Sequence, residues 1–296
     1  MEPRITIVLP THNRAGVLGY AIHSVLWQTQ KDFELLIVGD GCTDNTSDIV
    51  ASFHDPRIRW FDLPKAPFSG YANRNIALRQ ARGRYVAYAQ DDDILFPDHV
   101  EQLIATIEAS GADWAYSRPL WVMPDGVVLP FFINLTHADE LDHFLKVENH
   151  VPSTCVIHTR SALERAGFWP EDVPRIADWR CWQQIIRTSQ SGSVGYCRLP
   201  TALHFRAPWK QGDNSLEARL RDIAKSAWWP RACIVPIEAG VTEQQAFFAV
   251  LSAAPCPWIG QLRAGVGDIA DRLAWSWTLL KWRRLFSMIL RKFHLR

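Results

Sequence analysis

The sequence predicts an α/β protein built on a doubly wound, mostly parallel sheet. Two observations lead there. Short apolar runs at 4–9, 33–38, 57–61, 85–89 and 112–117 alternate with stretches of helical periodicity. Three of these runs end in polar clusters: Pro10-Thr11-His12-Asn13-Arg14, Gly39-Asp40-Gly41-Cys42 and Asp91-Asp92-Asp93. Open α/β sheets bind ligands beyond the carboxyl ends of their strands, so the clusters are expected to meet on one edge.

Residues 4–9 are β-branched and nearly all apolar, as a strand covered on both faces should be. Val17, Leu18, Ala21, Ile22, Val25 and Leu26 then recur at helical spacing. The strand at 33–38 runs into 39–46, where Gly39 and Gly41 permit a tight turn and Asp44 or Thr46 caps the next helix. A third strand is expected at 57–61. A helix at 69–81 carries Asn73-Arg74-Asn75 and ends by Gly83. After the strand at 85–89 and its three carboxylates come a helix at 97–109 and a strand at 112–117. Residues 120–132 suit a hairpin turning at Pro124-Asp125-Gly126. A short helix at 139–146, a strand at 153–159 and a helix from Asp178 to about Ser189 complete the pattern.

The chain has 296 residues, enough for one large domain or a domain with an extension. A net charge of +1 argues against a general nucleic-acid binder. Six cysteines without any CxxC spacing fit reduced thiols and argue against a structural zinc site. No run of 18 apolar residues is present, and Met1-Glu2-Pro3-Arg4 leads straight into a strand without a signal peptide. A cytoplasmic protein is therefore expected. Many of the fourteen tryptophans lie after Trp169, which points to stacking or interfacial surfaces. Residues 271–296 interleave seven Lys and Arg with Trp, Leu and Phe against Asp271 alone. That is the pattern of an amphipathic helix lying on the inner face of a membrane, and equally of a terminal helix docked on the enzyme or on a second subunit.

Three adjacent carboxylates at a strand end repel one another and call for a counter-charge. A hard divalent cation with a phosphate-bearing ligand supplies it; an acidic turn capping the next helix is the competing reading.

Several segments, taken in order, resemble the inverting glycosyltransferase family 2. They are Ile7-Val8-Leu9-Pro10-Thr11-His12-Asn13-Arg14, Glu34 through Asp44, Arg74-Asn75 before Ala81-Arg82-Gly83, Gln90-Asp91-Asp92-Asp93 and Asp178-Trp179-Arg180-Cys181-Trp182. The resemblance covers roughly 4–215 and implies a GT-A fold, Rossmann-like, with an acceptor-side insertion. On that basis 1–215 is the transferase domain, with a nucleotide-binding half at 1–118 and an acceptor half at 119–215. Residues 216–296 form a C-terminal helical extension.

The resemblance also implies roles. Pro10, Thr11, Asn13 and Asp40 would hold the nucleotide base, with Asp40 accepting the uracil N3–H of a UDP-sugar. Arg74 would reach the same nucleotide. Asp91-Asp92-Asp93 would be the metal motif, although Gln90 stands where the usual Asp-x-Asp-Asp has its first acid. Asp92 is then the direct ligand of Mn²⁺ or Mg²⁺, and Asp91 serves the ribose or the metal. Asp178 would be the general base; Ala177 and Arg180 stand where the family often carries further acids, and a plain helix N-cap is the competing reading of Asp178. His204 would be a further metal ligand or phosphate contact, and Arg206 or Lys210 would meet the diphosphate on a closing loop.

The expected activity is transfer of a sugar from a nucleoside diphosphate, UDP foremost, to a hydroxyl of a glycan, a lipid-linked or another acceptor in cell-surface polysaccharide synthesis. Two alternatives are a non-catalytic sugar-nucleotide or glycan binder on a decayed scaffold, and a nucleotidyltransferase. The second would favour a Gly- and Lys-rich phosphate loop after the first strand, which this chain lacks.

Overall fold

The computed structural model describes residues 2–206 and 215–273. Its strands are β1 (Ile5–Thr11), β2 (Phe33–Asp40), β3 (Ile58–Leu63), β4 (Tyr85–Tyr88), β5 (Ile94–Leu95), β6 (Trp114–Ser117), β7 (Leu120–Val122), β8 (Val128–Pro130), β9 (Val156–Thr159), β10 (Gly195–Cys197) and β11 (Ala202–Phe205). Its helices are α1 (Ala15–Leu26), α2 (Thr46–Ala51), α3 (Tyr71–Leu78), α4 (His99–Ser110), α5 (Ala138–Lys146), α6 (Arg160–Ala166), α7 (Ala177–Arg187), α8 (Ser215–Ala224) and α9 (Glu243–Ala253). A further helix, α10, covers 255–273.

The main sheet has seven strands in the order β10-β6-β9-β4-β1-β2-β3. Strand β9 runs antiparallel to both its neighbours, and the other pairings are parallel. Helices cover both faces, which is why the central strands are apolar on both sides. On β1, Ile5, Ile7 and Leu9 join α1 and α4 in one core, while Val8 faces Trp114 and Trp182 in the other. A smaller sheet of order β5-β11-β7-β8 stands beside it. Its inner residues Ile94, Leu120, Val128, Leu203 and Phe205 share a third core with Phe247, Leu262, Val266 and Ile269 of α9 and α10.

Three expectations shift. The 69–81 helix is shorter because Gly70, with φ of 71°, turns the chain against Asp40, and a Cβ there would sit 2.6 Å from Asp40 Oδ2. The strand at 153–159 starts at Val156, after a 3-10 turn at Ser153–Cys155. Of the tryptophans after Trp169, Trp182 and Trp229 are buried in the core instead of forming a surface. Among the described residues no helix is long and apolar enough to cross a membrane. The basic stretch beyond Leu273 and the candidate Lys210 lie outside the described residues.

Candidate active site

Strands β1, β2 and β4 are adjacent and parallel, so Thr11, Asp40 and the Asp91-Asp92-Asp93 loop arrive at the same sheet edge. Asn13 ties two of these ends together. It adopts φ of 52°, which Asn tolerates, and its Oδ1 accepts from Thr43 N at 2.7 Å. His12 Nδ1 lies 2.7 Å from the Asp40 carbonyl. Pro10 and Thr11 are buried at the end of β1.

The three carboxylates divide by partner. Asp93 is buried, and its oxygens meet Thr154 Oγ1, Phe205 N at 3.0 Å and His204 Nδ1 at 3.0 Å. Asp92 faces Arg14, with Nη2 3.7 Å from Oδ2. Burial first, then repulsion from Asp93 and Asp91, pushes the Asp92 carboxyl up to about 7, against the pull of His204 and Arg14. Burial raises Asp91 as well, with the Arg14 charge opposing it. Gln90, in place of an acid, donates to Ser153 Oγ at 2.6 Å.

Among the described residues no three His, Cys, Asp or Glu side chains stand together as a metal site. A hard divalent cation nevertheless fits the loop. Asp91 and Asp92 are oxygen donors whose charge is disfavoured where they stand, and one or two carboxylates with substrate phosphates suffice for Mg²⁺. His204 has turned Nδ1 to Asp93, so only Nε2 remains to face a ligand.

Asp40 is buried and fully engaged. Oδ1 accepts from Ala66 N and Asn73 Nδ2, each at 2.8 Å, and Oδ2 pairs with Lys65 Nζ. It therefore anchors the 64–70 segment and α3, and a base N–H reaching Oδ2 would share that oxygen with the Lys65 ammonium.

Arg74, on α3, packs its guanidinium against Tyr71 and Trp169, 5.2 and 5.0 Å from the ring centroids. Its Nε is buried with no hydrogen-bond partner. Burial lowers its pKa, and the charges of Asp178 and Asp91 are among those that oppose the fall. Asp178 lies in the first turn of α7. The N-cap position is Ile176, with φ of 60°, and no side chain makes a capping bond there, so capping does not explain Asp178. Next to it, Trp179 donates to the Phe144 carbonyl at 2.7 Å. Phe144 lines a cavity of about 290 Å³ with Ile133, Asp139, Glu140, His143, Glu148 and His150.

The structure thus brings Thr11, Asn13, Asp40, Asp91 and Asp92 to one edge, with His204 behind Asp93, and the charges of Asp178 and Asp91 both act on Arg74. Sequence reasoning did not single out Arg14 opposite Asp92, although Arg14 closes the first polar cluster. It also missed Trp169 beneath Arg74, and Gln244 of α9, whose Nε2 donates to the Asp92 carbonyl at 3.3 Å. Nothing local in the sequence marks those two.

The family described as "Glycosyl transferase family 2" matches residues 6–163. The putative teichuronic acid biosynthesis glycosyltransferase TuaG of Bacillus subtilis is 30% identical over 233 residues, covering 77% of this chain and 87% of TuaG. An uncharacterized glycosyltransferase of Rickettsia felis is 37% identical over 65% of this chain, which spans only 32% of that relative's length. Among solved structures, S. aureus TarS 1–349 in complex with UDP-GlcNAc superposes with a TM-score of 0.58 at 17% identity, covering 71% of this chain and 60% of TarS 1–349. The mannosyltransferase PcManGT from Pyrobaculum calidifontis, in complex with GDP-Man and Mn²⁺, gives 0.52 at 17% identity, over 92% of this chain and 76% of PcManGT. The architecture is the GT-A fold of these transferases, and the chain belongs to glycosyl transferase family 2.

Proposed function

We propose that this chain is an inverting, metal-dependent glycosyltransferase that moves a sugar from a UDP-sugar to an acceptor hydroxyl in the synthesis of a cell-surface glycan. The observation that carries this reading is Asp178, a carboxylate in the first turn of α7 that makes no capping bond and whose charge, with that of Asp91, acts on the half-buried Arg74. TuaG's part in teichuronic acid biosynthesis, and the nucleotide sugars held by TarS and PcManGT, support the same class of chemistry.

In this mechanism the Asp178 carboxylate takes the proton of the acceptor hydroxyl as its oxygen attacks the anomeric carbon. The new C–O bond forms on the face opposite the departing nucleoside diphosphate, which leaves with the bonding pair, so the centre inverts. Arg74 contributes a fixed positive charge beside the nucleotide. A Mg²⁺ or Mn²⁺ ion held by Asp92, with Asp91, would neutralise charge on the leaving diphosphate. Residues 1–118 hold the donor. The acceptor enters from 119–215, where the cavity beside Phe144 adjoins the Asp178 helix, and 216–296 form the extension.

The test is release of nucleoside diphosphate from a panel of UDP-, GDP- and dTDP-sugars with Mn²⁺, for the wild type and Asp178→Asn. Metal-dependent turnover of one donor, falling about 10²-fold or more in the variant, is the expected result. Turnover unaffected by the variant would remove Asp178 from the mechanism, and failure of every donor to bind would end the nucleotide-sugar reading.

A further inference from the structure

We infer that Trp169 is a positioning residue for donor binding: its indole face, beside the Tyr71 ring, is the shelf that fixes the Arg74 guanidinium. The inference rests on the nucleotide-sugar reading for its functional consequence and on geometry for its physical content.

Trp169 is itself rigidly placed. Its backbone N–H donates to Asn75 Oδ1 at 3.1 Å, and its carbonyl accepts from Asn75 Nδ2 at 2.8 Å. Asn75 is the neighbour of Arg74 on α3, so one residue of the helix grips the loop that supports the next. The indole Nε1–H donates to Tyr88 Oη at 3.0 Å, and Tyr88 Oη lies 2.8 Å from His158 Nε2. Tyr88 ends β4, two residues before the carboxylate loop begins to turn at Gln90. Trp169 also packs edge-on against Trp182 of α7, the helix that carries Asp178. It therefore touches the three elements that supply Arg74, Asp91 and Asp178.

The guanidinium needs such a shelf. Its Nε is buried with no hydrogen-bond acceptor, so that end of the fork is not held by any polar group. A desolvated cation on an aromatic face is held by the ring quadrupole, a stronger attraction than at an exposed site. A free Arg would otherwise close onto a carboxylate as a bidentate pair and take an acidic oxygen out of use.

Two variants separate positioning from simple packing. Trp169→Phe keeps an aromatic face and loses the N–H; Trp169→Leu keeps apolar bulk and loses the face. Binding of UDP with Mn²⁺ is measured by calorimetry well below each variant's melting temperature. Trp169→Leu is expected to weaken UDP about tenfold, and Trp169→Phe less than about threefold. In an Arg74→Met background the Trp169→Leu cost should vanish, because the shelf then has nothing to hold. Equal costs in both backgrounds, or no cost in either, would overturn the inference. A second readout needs no nucleotide: the Arg74 Nε–H proton, identified by its loss in Arg74→Met, should carry a ring-current shift that disappears in Trp169→Leu and persists in Trp169→Phe. An unchanged resonance in Trp169→Leu refutes the shelf even if UDP does not bind. Absent UDP binding with the expected resonance change would instead fault the nucleotide reading.

Discussion

His204 Nδ1 stands 3.0 Å from both carboxylate oxygens of Asp93, joining residues 111 apart in the chain. The pair locks the end of the carboxylate loop to β11, and Phe205 N and Thr154 Oγ1 complete the shell of Asp93. Asp93 is thus a structural anchor, unlike its two neighbours. Asp93→Ala should cost about 3 kcal/mol of stability, since it strips the acceptor from three buried donors. Asp92→Asn should cost nothing or add stability, because it relieves repulsion. Urea titration of both variants checks this, and equal losses would show that the division of roles is wrong.

The proposed metal requirement would fall on Asp92. Chelator should abolish donor turnover, and added Mn²⁺ should restore it in the wild type. Asp92→Asn should lose turnover by two orders of magnitude or so at any Mn²⁺ concentration. Full activity of Asp92→Asn with Mn²⁺ would assign the ion to other residues.

Asp40 holds the 64–70 segment through Oδ1 and Lys65 through Oδ2. Asp40→Asn keeps a carbonyl oxygen for Ala66 N and Asn73, whereas Asp40→Ala leaves Ala66 N without its acceptor and Asn73 Nδ2 with only the Pro64 carbonyl. Alanine should therefore cost about 1–3 kcal/mol and asparagine clearly less. Thermal melts in the absence of nucleotide measure the difference. Identical losses would mean that the charge facing Lys65, and not the Oδ1 bonds, sets the segment.

Two buried histidines make the fold sensitive to mild acid. Burial lowers His99 and His158 to about 4, so both are neutral in the native state. Their unfolded counterparts titrate near ~6.5 and take up protons first as the pH falls. Their contribution is complete above pH ~6.5 and is lost progressively down toward pH ~4, by about 2–3 kcal/mol for each group. Asp92, held up at about 7, takes its proton over the same range and opposes this loss, so the histidine contribution is read in Asp92→Asn, where denaturation midpoints should drop between pH 7 and 5. His158→Gln should flatten that slope by about half; an unchanged slope would exclude His158 as its source.

The main sheet was legible because β1, β2 and β4 are covered on both faces and leave uninterrupted apolar runs. The site edge was legible because polar residues end three of those runs. What escaped was non-local. Ile94–Leu95 pairs with Ala202–Leu203 across a hundred residues of chain, and two residues carry no period. The sequence offers three equal aspartates, and only His204, Thr154 and Arg14 tell them apart in space. Asp40 looks like an open acceptor until the 64–70 segment folds back on it. Tryptophans after Trp169 suggest surfaces by their number, yet Trp182 and Trp229 join two different cores and become interior.

Helices α9 and α10 reach the carboxylate loop and the elements beside it. Gln244 donates to the Asp92 carbonyl at 3.3 Å. Arg263 of α10 grips Asp98, just past the loop, with two bonds of 2.9 Å. Phe248, one turn on from Gln244, stacks on Trp27 of α1 at 4.9 Å. These contacts brace the carboxylate loop, the start of α4 and α1 against α9 and α10. The backbone around Asp92 is thus held from outside the main sheet, by a side chain more than 150 residues further along the chain.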